Sequence, residues 1–313
     1  MTTMPDSDDK TMHICLATDD RYAMHCSVTI ASILVNAAES DRLHFYIFNS
    51  NLSLENKNRL TALTRLKPCI LEFKQMNLSD YDRYSLAEHA YISMTTYFRI
   101  GIASTLKHLD KALYLDCDLA ITTSLASLYE TDLTGYYGAM VIDLPAQSAV
   151  RVFSMKHHYY NSGVLLINCK IWRDEGLDLK MLEWVSQNAK AIKYADQDAI
   201  NFISDGRIKT LDPKYNTFGY ELNEMTDGDK PVIIHYVGSL KPWNPLSGLP
   251  VESEYFRYLK LTGWNQGKYL RFLKTVMLFA TKWIGEGLKK VLRVVSPTLF
   301  RYLKRLYLKG RNK

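Results

Sequence analysis

His13-Ile-Cys-Leu-Ala-Thr18, Leu43-His-Phe-Tyr-Ile-Phe-Asn49 and Ile70-Leu-Glu-Phe73 are three short apolar runs separated by the longer amphipathic stretches Tyr22–Ala38 and Leu54–Leu66. Such runs predict strands and the stretches between them predict helices; their alternation signals βαβ units and a mainly parallel sheet with helices on both faces. Ser53 stands ahead of the second helix with Asn56 three residues on, which reads as a cap. Working outward, further strands are predicted at Ala112–Leu115, Tyr137–Ile142, Val164–Asn168 and Val232–His235. Further helices are predicted at Thr95–Ser104, Leu177–Ala191 and Gln197–Ser204. No internal repeat and no low-complexity segment interrupts this order.

A chain of 313 residues is long enough for one large α/β domain with an appendage. The net charge of +6 conceals an asymmetry: residues 265–313 hold thirteen Lys/Arg against the single acid Glu286, while the rest of the chain balances at −6. Body and tail are therefore read separately. Five scattered cysteines, mostly in apolar strand-like runs, suit small buried thiols in a reducing compartment. Met1 to His13 is polar and acidic without an apolar core, so a secretory signal is not expected, and no window reaches the roughly 18 uninterrupted apolar residues of a spanning helix. A cytoplasmic protein is the expectation.

Open α/β sheets bind their ligands at the carboxyl ends of the strands. There the chain carries Lys111-Ala-Leu-Tyr-Leu-Asp116-Cys117-Asp118, an apolar strand running into two carboxylates one residue apart. In extended chain, residues i and i+2 project to the same side, so both can approach one cation, and hard oxygen ligands suit Mg²⁺ or Mn²⁺ shared with a phosphate. An Asp pair closing a strand at the surface is the plain structural reading. An apolar strand before Asp-x-Asp also opens the haloacid-dehalogenase-like phosphatases, although Ala120 stands where that family usually has Thr or Val.

Five further motifs surround this one in order: Asp19-Asp20-Arg21-Tyr22, Ser93-Met94-Thr95-Thr96-Tyr97-Phe98-Arg99, Tyr160-Asn161-Ser162-Gly163, Tyr194-Ala195-Asp196-Gln197-Asp198 and His235-Tyr236-Val237-Gly238-Ser239-Leu240-Lys241-Pro242-Trp243. Together, over roughly residues 12 to 245, they resemble glycosyltransferase family 8, most closely its bacterial lipooligosaccharide α-galactosyl- and α-glucosyltransferases. The resemblance implies a GT-A, nucleotide-sugar-binding and Rossmann-like α/β fold, with retaining transfer from a UDP-hexose to a lipooligosaccharide, lipopolysaccharide or other surface glycan. It implies that Asp116, Asp118 and His235 hold Mn²⁺, with Mg²⁺ as the other metal to consider, and that Lys241 stabilises the leaving diphosphate. Asp19 and Tyr22 are placed at the uracil, with Ala17 and Ile92 lining that pocket; Cys117 and Gly238 join the UDP-sugar site. Arg99, Asp143, Asn161, Gly163, Asp196 and Gln197 match positions that hold the hexose, with Gln197, Asp196 and Asp143 as the catalytic candidates. Alone, His235 reads as a satisfied core histidine, Lys241 as a surface lysine and Arg99 as a salt-bridge partner. Either a nucleophile, for which the Gln197 amide is the match, or front-side attack assisted by the leaving phosphate accounts for retention.

Domain bounds follow as a polar leader over 1–11, the catalytic domain over 12–263 and a basic tail over 264–313. In the tail, Leu273, Val276, Met277, Ala280, Ile284, Leu288, Val291 and Val295 keep 3- and 4-residue spacing opposite Arg271, Lys274, Lys282, Lys289 and Arg293. Basic faces with Trp and Tyr describe helices lying in the headgroup layer of an anionic membrane, here the inner face of the cell membrane. A helix packed on the body with a solvated basic face is the plainer reading. Nucleic acid is not an expected partner, since no recognised module accompanies the charges. Besides the transferase and the phosphatase, the sequence allows an inactive membrane-bound sugar-nucleotide-binding protein.

Overall fold

A computed structural model of the chain describes residues 11–77, 79, 94–219, 222, 230–244, 249 and 251–264. Seven strands form the main sheet in the order β3-β2-β1-β4-β7-β6-β8: β1 (Thr11–Ala17), β2 (Arg42–Asn49), β3 (Ile70–Gln75), β4 (Lys111–Leu115), β6 (Gly138–Ile142), β7 (Tyr160–Asn168) and β8 (Ile208–Thr210). A smaller sheet has the order β5-β10-β9, with β5 (Leu119–Ile121), β10 (Ile233–His235) and β9 (Thr217–Phe218). The main sheet is mainly parallel, as predicted, but β7 runs against both neighbours, β4 and β6.

The apolar runs make strands because both faces of the sheet are covered. Along β4, Ala112 and Tyr114 face one core while Leu113 and Leu115 face the other; along β7, Leu165 and Ile167 alternate with Val164 and Leu166 in the same way. Helix Ala23–Asn36 covers one face and helices Leu177–Asn188 and Asp196–Ile203 the other. Ser53 caps helix Leu54–Thr61 by accepting from the Asn56 amide at 3.3 Å. All five cysteines are free, four of them buried and Cys69 half-buried.

Several boundaries differ from the sequence reading. The helix predicted over Thr95–Ser104 is a 3-10 helix, Met94–Arg99, and a short helix, Ile102–Thr105, separated at Ile100-Gly101. Strand β7 begins at Tyr160, earlier than the predicted Val164. Strands β5, β8 and β9 and helix Glu252–Leu259 were not expected. Trp264, at the predicted start of the tail, packs on the body: its indole donates to Ser27 Oγ at 3.1 Å and Arg59 lies over its ring at 4.2 Å. The tail beyond it, the leader over 1–10 and Ile92 lie outside the described residues. Among the described residues no helix is long and apolar enough to cross a membrane.

Candidate active site

The two carboxylates stand where β4 ends and β5 begins, and His235 closes β10 directly across from Leu119 of β5. That pairing brings residues far apart in the chain into one cluster. His235 Nε2 is 3.3 Å from Asp118 Oδ1 and 3.7 Å from Asp116 Oδ2, and one ligand atom from each of the three residues falls within 4.8 Å of the others. The close approach depends on Gly163 in β7. A Cβ built there would stand 2.3 Å from His235 Cε1 and 2.7 Å from Asp116 Oδ2.

Two carboxylates crowded together need positive charge, and two cations supply it. Arg99, buried at the end of its 3-10 helix, reaches Asp116 Oδ1 at 3.0 Å with Nη2 and Asp196 Oδ2 at 2.8 Å with Nε. Its Nη1 donates to the Ser162 carbonyl at 2.9 Å and to Ser162 Oγ at 3.1 Å. Burial alone would lower the Arg99 pKa, but Asp116 and Asp196 carry it above its ordinary value. Lys241 pairs with Asp118 Oδ2 and donates to the Tyr236 carbonyl at 2.5 Å. Burial works against the Asp118 carboxylate, yet Lys241 and His235 hold it well below the usual carboxylate range. Asp196 goes the other way: burial lifts it to about 7 despite Arg99.

Behind the cluster lies a polar shelf. Asp143, at the end of β6, accepts with Oδ2 from Asn161 Nδ2 at 3.1 Å and from Gln197 Nε2 at 3.2 Å. Gln197, in the first turn of its helix, accepts with Oε1 from the Ser162 amide at 3.1 Å. Its amide is thereby oriented. These side chains are buried, so their hydrogen-bonding groups are fixed in direction.

At the other end, the Ala17 carbonyl lies 3.1 Å from Cys117 Sγ, and Asp19 Oδ1 accepts from the Tyr22 amide at 2.9 Å. The Tyr22 ring is 42 % exposed and meets His25 and Trp243 edge-on, at 5.1 and 6.1 Å. His25 in turn stacks on Trp243 at 3.6 Å, and Trp243 lies under Lys241. Gly238 has φ +73°, a left-handed turn that lets the chain reverse between His235 and Lys241. Asp20 points elsewhere: its carboxylate takes the Ser53 amide at 2.9 Å and Asn56 Nδ2 at 2.8 Å.

Of the residues singled out in the sequence, the structure thus gathers Asp116, Asp118, His235, Lys241, Arg99, Asp196, Asn161, Gly163, Asp143 and Gln197 around one cluster, with Ala17, Cys117, Asp19 and Tyr22 at its edge. Three participants have no role in the sequence reading: Tyr114, within the Lys111–Asp118 run, whose hydroxyl donates to Asp116 Oδ1 at 2.8 Å, Ser162, within the Tyr160–Gly163 motif, and Asn216, which lies in no motif and whose Oδ1 is 2.8 Å from His235 Nδ1. With Tyr114, Arg99 and His235 around it, Asp116 has the surroundings of a metal ligand rather than of the free nucleophile the phosphatase reading requires. The donor set of two carboxylates and an imidazole, with space kept open by a glycine, fits a divalent cation of the Mn²⁺ or Mg²⁺ kind.

The profile of the family described as glycosyl transferase family 8 matches residues 13–247. General stress protein A of Bacillus subtilis (strain 168) is 27% identical, with 82% of this chain and 96% of that protein covered. The lipopolysaccharide 1,2-glucosyltransferase of Escherichia coli is 28% identical, over 85% of this chain and 83% of the relative. Among solved structures, that of the galactosyltransferase LgtC in complex with donor and acceptor sugar analogues superposes with a TM-score of 0.71 at 28% identity, covering 80% of this chain and 95% of LgtC.

Proposed function

Because this chain belongs to glycosyltransferase family 8, we propose that it is a retaining hexosyltransferase that moves galactose or glucose from a UDP-sugar to a lipooligosaccharide, lipopolysaccharide or other surface glycan. The observation that carries this reading is the convergence of Asp116, Asp118, His235 and Lys241 beside a shelf of oriented polar side chains. The glucosyltransferase and galactosyltransferase names of the relatives support both hexoses equally.

Asp116, Asp118 and His235 would hold Mn²⁺, or Mg²⁺ in its place. A divalent ion there supplies Lewis-acid stabilisation to the charge that develops on the departing diphosphate. Lys241 adds a fixed positive charge on the same side, which stabilises that charge without a proton transfer. Tyr22 offers an exposed ring for the uracil, Asp19 an acceptor beside it, and Ala17 with Cys117 the wall of the pocket; Gly238 lets the lysine loop close over the phosphates. Arg99, Asn161, Gly163 and Asp143 hold the hexose, and Asp196 secures Arg99 from behind. Gln197 faces the anomeric carbon. Its Oε1 serves as nucleophile, or it orients the sugar while the leaving phosphate oxygen takes the acceptor proton from the front side.

The acceptor lies at a membrane, and the basic stretch over 265–313 brings the enzyme to the cytoplasmic face by charge and apolar burial. A donor screen tests the whole reading. UDP release is measured from UDP-galactose, UDP-glucose and their N-acetyl forms, with Mn²⁺ and truncated lipooligosaccharide. Release from one of the two plain hexose donors, dependent on acceptor and lost with chelator, is the expected result. No release from either hexose donor overturns it.

A further inference from the structure

Four side chains behind the metal-type cluster form one hydrogen-bonded line, and its far end settles the direction of every bond in it. Asp143 accepts from Asn161 Nδ2 at 3.1 Å. A buried carboxylate engaged in this way only accepts, so the nitrogen of the Asn161 amide must face it. The Asn161 oxygen then faces the Gly163 backbone amide, a pure donor, at 3.1 Å, which independently fixes the same orientation. Asn216 approaches that oxygen at 2.9 Å and must present its own nitrogen. Its remaining atom, Oδ1, stands 2.8 Å from His235 Nδ1. An amide oxygen cannot donate, so Nδ1 carries the proton. Whenever the imidazole is neutral, its lone pair is therefore on Nε2, the atom that faces Asp118 and Asp116.

We propose that Asn216 is a positioning residue that locks the tautomer and ring plane of His235, so that Nε2 is held ready for a divalent cation and its geometry is tied to the sugar-binding carboxylate Asp143. The inference rests on the metal-dependent reading given above. Local structure explains how Asn216 comes to be there. The 3-10 turn Pro213–Tyr215, capped by Asp212, delivers it to the start of β9, and the parallel pairing of β9 with β10 sets Thr217 beside Ile234 and Phe218 beside His235. Asn216 is 2 % exposed, so water does not replace either of its bonds cheaply. A histidine bound to a metal through one nitrogen characteristically donates from the other to an oxygen, and the loss of that partner typically weakens the metal about 10- to 100-fold. Here the partner is an amide, which accepts the proton without adding a negative charge to a cluster that already has two carboxylates.

The test uses the full chain and two substitutions. Mn²⁺ affinity is measured by electron paramagnetic resonance in the presence of UDP, and the protonation of the His235 ring nitrogens by ¹⁵N NMR of the metal-free protein. The intact chain should show a proton on Nδ1. Asn216→Ala should weaken Mn²⁺ roughly tenfold or more and lose the single tautomer, whereas Asn216→Asp, which still accepts from Nδ1 although it can no longer donate to the Asn161 oxygen, should keep the proton on Nδ1. A neutral His235 with its proton on Nε2 in the intact chain overturns the proposal, and so does an Asn216→Ala protein that binds Mn²⁺ like the parent. Should Asn216→Ala fail to fold, the Asp variant and the ring measurement on the intact chain still decide it. If the intact chain bound no Mn²⁺ at all, the metal reading would fall, and the NMR result would separately judge the hydrogen-bonded line.

Discussion

Gly163 offers the sharpest perturbation, because a single methyl group there is aimed at both halves of the site. An ideal Cβ would stand 2.3 Å from His235 Cε1, 2.7 Å from Asp116 Oδ2 and 3.0 Å from Asn161 Oδ1. Carbon atoms pack favourably at about 3.5 Å or more, so in Gly163→Ala the imidazole must retreat by roughly 1 Å. It has little room to do so, being 3 % exposed and held from behind by Asn216. Overpacking of this kind costs about 1–3 kcal/mol, which lowers Tm by roughly 2–4 °C for each kcal/mol in a body of this size. A displacement of about 1 Å within a catalytic constellation costs on the order of 100-fold in rate. The expected variant is therefore folded, modestly less stable and nearly inactive. Steady-state UDP release and a thermal melt on the same preparation measure both effects. Turnover within threefold of the parent, alongside a lowered Tm, would refute the reasoning, since it would make Gly163 a packing residue and leave Asp116 and His235 without a shared task.

Other outcomes follow from the same geometry. Chelator should abolish transfer from the UDP-hexose, with Mn²⁺ restoring it better than Ca²⁺ because the set includes an imidazole; full activity in metal-free buffer would exclude this. Asp116→Asn and Asp118→Asn should each lose at least about 100-fold in rate, and wild-type rates in both would return the pair to a surface role. Burial, with Lys241 adding to it and Asp118 opposing, lowers the His25 pKa from 6.5 to about 3. The unfolded chain then binds the extra proton first, so this contribution to stability is complete above pH 6.5 and fades as pH falls toward 3, at up to about 1.4 kcal/mol per pH unit. Melts across that window should show the slope, and a variant His25→Phe that keeps it would assign the effect elsewhere. For the tail, the full chain should sediment with anionic liposomes and weaken with salt, while a chain ending at Trp264, which keeps that residue's packing on the body, should not bind; equal binding by both would place the membrane contact in the body.

Much of this was legible in the sequence, for reasons visible in particular residues. Strands β1, β2 and β4 are buried on both faces, so they appear as unbroken apolar runs, and the Asp-x-Asp at the end of β4 stands out against such a run. What periodicity does not carry is direction: Val164–Asn168 reads as a strand, yet nothing in it says that it runs against β4 and β6. Length hides β5, β8 and β9, which have two or three residues each, and β8 includes a lysine. The helix expected over Thr95–Ser104 divides at Gly101, and its first part tightens into the 3-10 turn that aims Arg99 inward. Within the site, most of the residues found in advance lie in ordered motifs. Asn216 escaped because its role is set by the register of β9 on β10, which no local spacing encodes; Ser162 stands inside the Tyr160–Gly163 motif without a role because it acts largely through its backbone.

Small as it is, the sheet of β5, β10 and β9 has a consequence for synthesis. Asp118 and Lys241 stand 123 positions apart, and only the pairing of β10 on β5 unites the carboxylates with the imidazole. A chain emerging from the ribosome amino end first can form β1 through β4 and display both aspartates long before His235 has been translated. The cluster of Asp116, Asp118 and His235 therefore has no early half-built version with all three side chains in place. It comes together in one late step, when β10 docks, so any release of the chain before β10 yields a protein that carries both aspartates without the imidazole.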